Sequence, residues 1–188
     1  MSIPGTRRHN ETPYLCIVIK IKTMCITRAS YNEGKNEPVT VYKVIECHTV
    51  MKPESTEAMV TTRKTPFRGV ILSEDILNGT VPFVAEGDPY IAGIYIVNGK
   101  TYAREINGGY IHTYAAKQSV VKDYFDFYRP ECEKDQGVKV EIYECEIPAG
   151  EGYWEGLFDG NMLIKSTASK SIVFKRRLSQ EEIRMSRY

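Results

Sequence analysis

The sequence predicts an α+β fold: a mainly antiparallel β-sheet with one central helix packed on it and a short C-terminal helix. Three observations predict it. Several segments alternate apolar and polar residues with period two, glycine-bearing turns join some of them, and the 115–128 segment switches to three- and four-residue apolar spacing. Residues 1–23 read as an N-terminal arm or extension, and residues 24–188 as a single globular domain.

The arm opens with "MSIPGTRRHNETP", which is polar, basic and rich in turn residues. "YLCIVIKIKTMCIT" follows, with Leu15, Ile17, Ile19 and Ile21 on one face, a strand signal. "RASYNEGKNEP" reads as a polar connection broken by Gly and Pro. "VTVYKVIECHTV" (39–50) is the strongest strand. Val39, Val41, Lys43, Ile45 and Cys47 share one face, and Thr40, Tyr42, Val44 and Glu46 the other. "AMVTTR" reads as a short partner strand, Pro66 and Gly69 as a turn, and "SEDILNG" as one helical turn capped by Ser73.

The next stretch reads as a meander of three successive antiparallel strands. Asn98-Gly99 supplies the positive φ angles of a type I′ hairpin turn, and Asn107-Gly108-Gly109 is a second turn of similar chemistry. After the strand Tyr110–Tyr114, Ala116, Val120, Val121, Tyr124, Phe125 and Tyr128 line one side of a helix, which Pro130 is expected to stop. "VKVEIYECEIP" is another strand whose apolar phase slips near Tyr143. "AGEGYWEGLFDGN" reads as a Gly-rich loop, "KSTASKSIVFKRR" ends in a strand, and "SQEEIRMSRY" is a short amphipathic helix capped by Ser179.

Composition narrows the function classes. Lys+Arg number 25 and Asp+Glu 24, a net charge of +1, which argues against a global electrostatic grip on a nucleic acid polymer or an acidic membrane. The longest apolar run near the start is too short for a signal-peptide core or a bilayer span, and a cytoplasmic protein is expected. Five cysteines without a CxxC pair fit neither a zinc site nor a disulfide framework, so reduced thiols are expected, with no metal and no cofactor. Thirteen tyrosines suit half-buried strands, interfaces and pockets that stack planar ligands. The chain has no Walker A loop, GxGxxG, HExxH or GxSxG motif. Cys47 and His48 are adjacent, which in a strand puts them on opposite faces and removes the one local nucleophile–base pair.

Two stretches are candidate ligand sites. In "GGYIHTY", Gly109 allows close backbone approach, and Tyr110, His112 and Tyr114 fall on one face of a strand that suits a base or a ribose. The same face equally suits packing under the following helix. In "PAGEGYWEGLFDGN", Tyr153 and Trp154 suit an aromatic lid, or an ordinary surface loop tied down by its own rings. Lys170, at the head of the basic stretch "KSIVFKRR", is the candidate phosphate contact, and a solvated face is the other account of that run. No catalytic residue is assigned.

From about Met24 onward, "MCITRAS", "YKVIE", "TPFRG", "GGYIHTY", "IYECEIPAGEGYWEG" and "STASKSIVF" resemble small uncharacterised proteins of Bacteroides-type bacteria and their phages. The order of the later segments is also similar to the late half of ADP-ribosyltransferase-like domains. In that comparison Lys43 stands near the early Arg or His, and Glu155 is close to, but does not match, the late catalytic Glu. The first resemblance implies a phage-type counter-defence protein that binds and sequesters a small nucleotide-derived signal, such as a cyclic nucleotide, without cleaving it, as a homo-oligomer. The second implies a diverged transferase. A Tyr-rich surface that binds a host protein is the third reading.

Overall fold

The computed structural model describes residues 25–51, 59–66, 68–134, 137–158 and 161–187. The expected arm and its strand over 15–21 lie outside the described residues. Twelve strands among the described residues form one antiparallel sheet. They are β1 (Ile26–Asn32), β2 (Val39–Met51), β3 (Met59–Lys64), β4 (Phe83–Val84), β5 (Tyr90–Ala92), β6 (Tyr95–Val97), β7 (Lys100–Asn107), β8 (Ile111–Tyr114), β9 (Val138–Ile147), β10 (Tyr153–Phe158), β11 (Asn161–Ser169) and β12 (Ser171–Arg177). Their order is β4-β12-β9-β2-β8-β11-β10-β1-β7-β5, with β3 beside β2 and β6 beside β7.

The α+β expectation holds, and both faces of the sheet's middle are covered. On one face α2 (Lys117–Asp123), a π-helical turn (Tyr124–Tyr128) and α3 (Arg129–Lys134) run on as one helical rod. Val120, Val121 and Tyr128 of that rod pack with Val44, Tyr114, Ile142 and Phe158 of the sheet. The C-terminal helix α4 (Gln180–Met185) adds Ile183 to the same layer, and Ser179 closes a capping box with Glu182. On the other face Val41, Ile45, Cys145 and Ile147 pack against Leu72, Leu77 and Phe83. There α1 (Glu74–Leu77) is the single turn that Ser73 caps, as its sequence predicts. The slip at Tyr143 is a change of buried face within a strand whose register with β2 runs unbroken.

Four local expectations are corrected. The "RASYN" segment is strand β1, between β7 and β10. Arg28 sits at φ 52 where the register with β10 shifts, so Ile26 and Ala29 both turn inward and period two is hidden. The helix runs past Pro130 to Lys134. Just before it the backbone N–H of Arg129 donates to the Tyr124 carbonyl, five residues back, and that wider turn makes room for a ring with no N–H to offer. The "GYWEGLF" stretch is not a loop but strand β10, paired on both sides. A Cβ at Gly156 would stand 2.5 Å from the Ile26 side chain, so this glycine serves close packing of β1 on β10. Finally, the Asn98-Gly99 hairpin forms, but β7 and β8 do not pair with each other: β8 lies between β2 and β11.

Candidate functional site

The site begins at a seam in the sheet. Strand β8 pairs with β11 at four positions, from Ile111 to Tyr114, but with β2 only at Tyr42–Tyr114. Toward Ile111 the two strands part, and the carbonyl of His112 has no ladder partner from β2. The side chain of Lys43 fills the gap: its Nζ donates to the His112 carbonyl at 2.8 Å. Lys43 reaches there because it occupies an inward position of β2, between Val41 and Ile45.

Beside this seam lies a cavity of about 600 Å³. Its walls come from the turn at Thr65–Val70, from the Phe83–Gly87 segment and from Asn107 to His112. Ile111, Phe83 and Val84 make an apolar strip, while Lys43, Arg68, Tyr110 and Glu86 supply the polar groups. The turn that carries Arg68 closes through Gly69 N–H to Thr65 carbonyl and Thr65 N–H to Val70 carbonyl, with Gly69 at φ 64. Lys43 is buried and has no carboxylate partner among the described residues. Burial pulls its ammonium down to about 8; Cys145 opposes that shift in part, and Arg68 adds the smallest contribution, in the direction of burial.

The predicted site residues separate into two groups. Tyr110 and His112 line the cavity, and Gly109 and Lys170 stand beside Tyr110 without lining it. Lys170 Nζ donates to the Gly109 carbonyl at 2.7 Å and stands 4.6 Å from the centre of the Tyr110 ring. It is thus a brace for the corner beside the cavity and not a wall of it. Gly109, at φ 60, presses on the Asp88–Pro89 backbone. His112 borders the cavity, yet both its ring nitrogens are sealed from solvent and lack a hydrogen-bond partner. By register its side chain shares a face with Ala168 and Trp154, away from Lys43. Burial, then Lys43 and Arg68, push the imidazole down to about 3, so it is neutral at physiological pH.

Tyr114, Tyr153 and Trp154 belong to the core instead. Tyr153 packs with Ile111 and Phe174, and Trp154 with Ile26, Ala29 and Ala168 against the Tyr31 ring. The aromatic lid is therefore replaced by a strand with both rings buried. Tyr114 donates its hydroxyl to Asp123 of α2 at 2.6 Å in a buried setting, tying β8 to the helix. Changing Tyr114 to Phe is expected to cost about 1.5–3 kcal/mol, because it withdraws a donor from a buried carboxylate. Urea unfolding measures it, and a loss under about 0.5 kcal/mol, the low end for a net neutral hydrogen bond, would contradict the assignment.

Lys43 and Arg68 are the functional candidates absent from the predicted site set. A readable signal existed for Lys43, a cation in the middle of an otherwise apolar strand face; Arg68 sits in a turn, where arginine signals nothing by itself. A second polar cluster centres on Glu141, which accepts from Arg63 at 3.0 Å, Arg177 at 2.5 Å and Tyr143 at 3.0 Å. Burial alone would raise the Glu141 carboxyl, but the hydrogen bonds from Arg63 and Arg177 outweigh it and hold the group at about 2. Those contacts clasp β3, β9 and the end of β12 together. Burial pushes the nearby Cys47 thiol up to about 12, with Glu141 contributing, so it is no nucleophile at neutral pH. No group of three or more His, Cys, Asp or Glu among the described residues is arranged to hold a metal ion. No helix among them is long and apolar enough to cross a membrane.

Comparison of the chain with protein-family models, with curated proteins and with solved structures finds no match.

Proposed function

We propose that the cavity beside Lys43 binds a small nucleotide-derived anion and holds it without cleaving it. The observation that carries this reading is the pairing of a buried ammonium that lacks a carboxylate among the described residues with apolar residues and the Tyr110 ring on the same walls. An anionic group such as a phosphate compensates the Lys43 and Arg68 charges, and the apolar strip takes the planar part. The lining supports reading the cavity as one for retention rather than turnover. Among the described residues Glu86 is the one carboxylate on it, and the His112 imidazole nitrogens are sealed. Glu155, the closest counterpart to a transferase acid, sits on β10 opposite Ser30 and Thr167, outside the cavity lining. In this reading the protein is a phage-type counter-defence sponge acting in the bacterial cytoplasm.

The test is to mix the protein with cyclic mono- and dinucleotides, remove free ligand, heat-denature and analyse what is released. Intact nucleotide is the expected result. Altered nucleotide would favour the diverged transferase, and no retention would leave a protein partner as the remaining reading. Lys43→Met is expected to weaken binding about 10–100-fold, the worth of one hydrogen bond to a charged group. Affinity should also fall as pH rises through 8, where Lys43 loses the proton that meets the anion. Calorimetric titrations at pH 7 and pH 9 read that change directly, and equal affinities would remove Lys43 from the contact.

A further inference from the structure

The geometry around Lys43 points to a second capacity of the same cavity: we propose that Lys43 is a carbonyl-capturing amine, condensing reversibly with an aldehyde or ketone group of a small anionic ligand. The inference uses the cavity described above but does not require the ligand to be a nucleotide.

Three features support it. First, Lys43 lines a cavity large enough for a small molecule, which puts its side chain beside any ligand held there. Second, among the described residues the buried amine makes a single hydrogen bond, to the His112 carbonyl, and no ion pair. In its neutral form the amine keeps that hydrogen bond through one N–H and has a lone pair for attack. Third, Arg68 lies on the same lining, where it favours an anionic ligand and disfavours a second positive charge on Lys43. The lowered ammonium pKa of about 8 agrees with this but is a consequence of the same burial.

The step balances without an oxidant or a metal. The Nζ lone pair forms a bond to the carbonyl carbon as the π electrons move to oxygen. A proton passes from nitrogen to oxygen, giving a carbinolamine. The hydroxyl then takes a proton from solvent and leaves as water, and the nitrogen lone pair closes the C=N bond. The product is a protonated imine whose one N–H has the His112 carbonyl as its acceptor. No atom changes net oxidation state, and hydrolysis reverses the sequence.

Pyridoxal 5′-phosphate, an aromatic aldehyde with a phosphate, is a suitable probe, used with the wild-type full-length chain. Limiting probe is added over a pH series, the imine is reduced with borohydride, and peptide mass mapping gives the modification rate at each lysine. Lys43 is expected to react about tenfold faster than the exposed lysines near pH 8, because roughly half of it is already neutral there. Its rate should level off above pH 9 while theirs keep climbing. Phosphate-free pyridoxal should lose most of the preference. Labelling spread over the surface with Lys43 untouched, or a Lys43 rate that still climbs above pH 10, overturns the proposal. Because the readout is on the wild-type protein, the stability of a Lys43 variant does not enter. Heat release of nucleotide is scored separately. Lys43 labelling without nucleotide retention rejects the nucleotide reading and keeps this one, and nucleotide retention with Lys43 unlabelled does the reverse.

Discussion

Replacing His112 with leucine is expected to stabilise the protein at neutral pH and to remove much of its sensitivity to mild acid. The side chain is 6% exposed, and neither ring nitrogen has a partner. An unsatisfied buried polar group costs about 1–3 kcal/mol, and an apolar side chain of similar volume avoids that cost. The pH effect has a definite sign. The imidazole is pushed down to about 3 in the folded chain from its ordinary 6.5, so between those values the unfolded chain binds the extra proton. Stability is therefore fully present above pH 6.5 and is lost as pH falls toward 3. The window is worth roughly 3–5 kcal/mol by proton linkage, the upper figure being the full shift. Glu141 adds a separate loss between 4.5 and about 2, which the leucine variant retains. Chemical unfolding of both proteins at pH 7, 5 and 4 measures the difference. A variant that unfolds earlier at pH 7 and keeps the wild-type acid slope would mean that the ring nitrogens are engaged after all.

A second large effect is expected at the corner beside the cavity. Alanine at Gly109 would place its Cβ 2.4 Å from the Asp88 carbonyl carbon and the Pro89 nitrogen, at φ 60. Backbone is hard to displace, and the left-handed conformation alone costs about 1–2 kcal/mol for a residue with a Cβ. With the overlap added, a loss of about 2–4 kcal/mol is expected, in the range where a strained backbone site is the named cause. Gly108 is the matched control. It also has positive φ, 38, but its added Cβ would meet nothing closer than 3.5 Å. Gly108→Ala should therefore pay only the conformational part. Thermal melts of the pair separate steric closure from flexibility, and equal losses would place the corner's rigidity elsewhere. The Gly109 variant should also lose ligand retention, because Asp88 and Pro89 continue the segment that walls the cavity.

By itself the sequence determined those features whose physics is local. The alternation of β2 on both faces, the Asn98-Gly99 hairpin, the apolar stripe of α2 and the caps at Ser73 and Ser179 each depend on residues a few positions apart, and each forms as read. Tyr110, His112 and Tyr114 do alternate as a strand must, yet alternation says nothing about what covers a face. Only the tertiary structure decided that β8 inserts between β2 and β11, so that Tyr114 meets Asp123 and the helix while Tyr110 turns to Lys170. The cavity lies beside a bond between residues 69 apart, Lys43 Nζ to the His112 carbonyl, at the place where two strands stop pairing. Tyr153 and Trp154 read as loop residues because glycines surround them; Gly152 and Gly156 instead let β1 lie close beside β10, a pairing made across more than a hundred residues. Chain periodicity sets which residues share a face, but the partner of that face is chosen by burial and hydrogen bonding between distant segments.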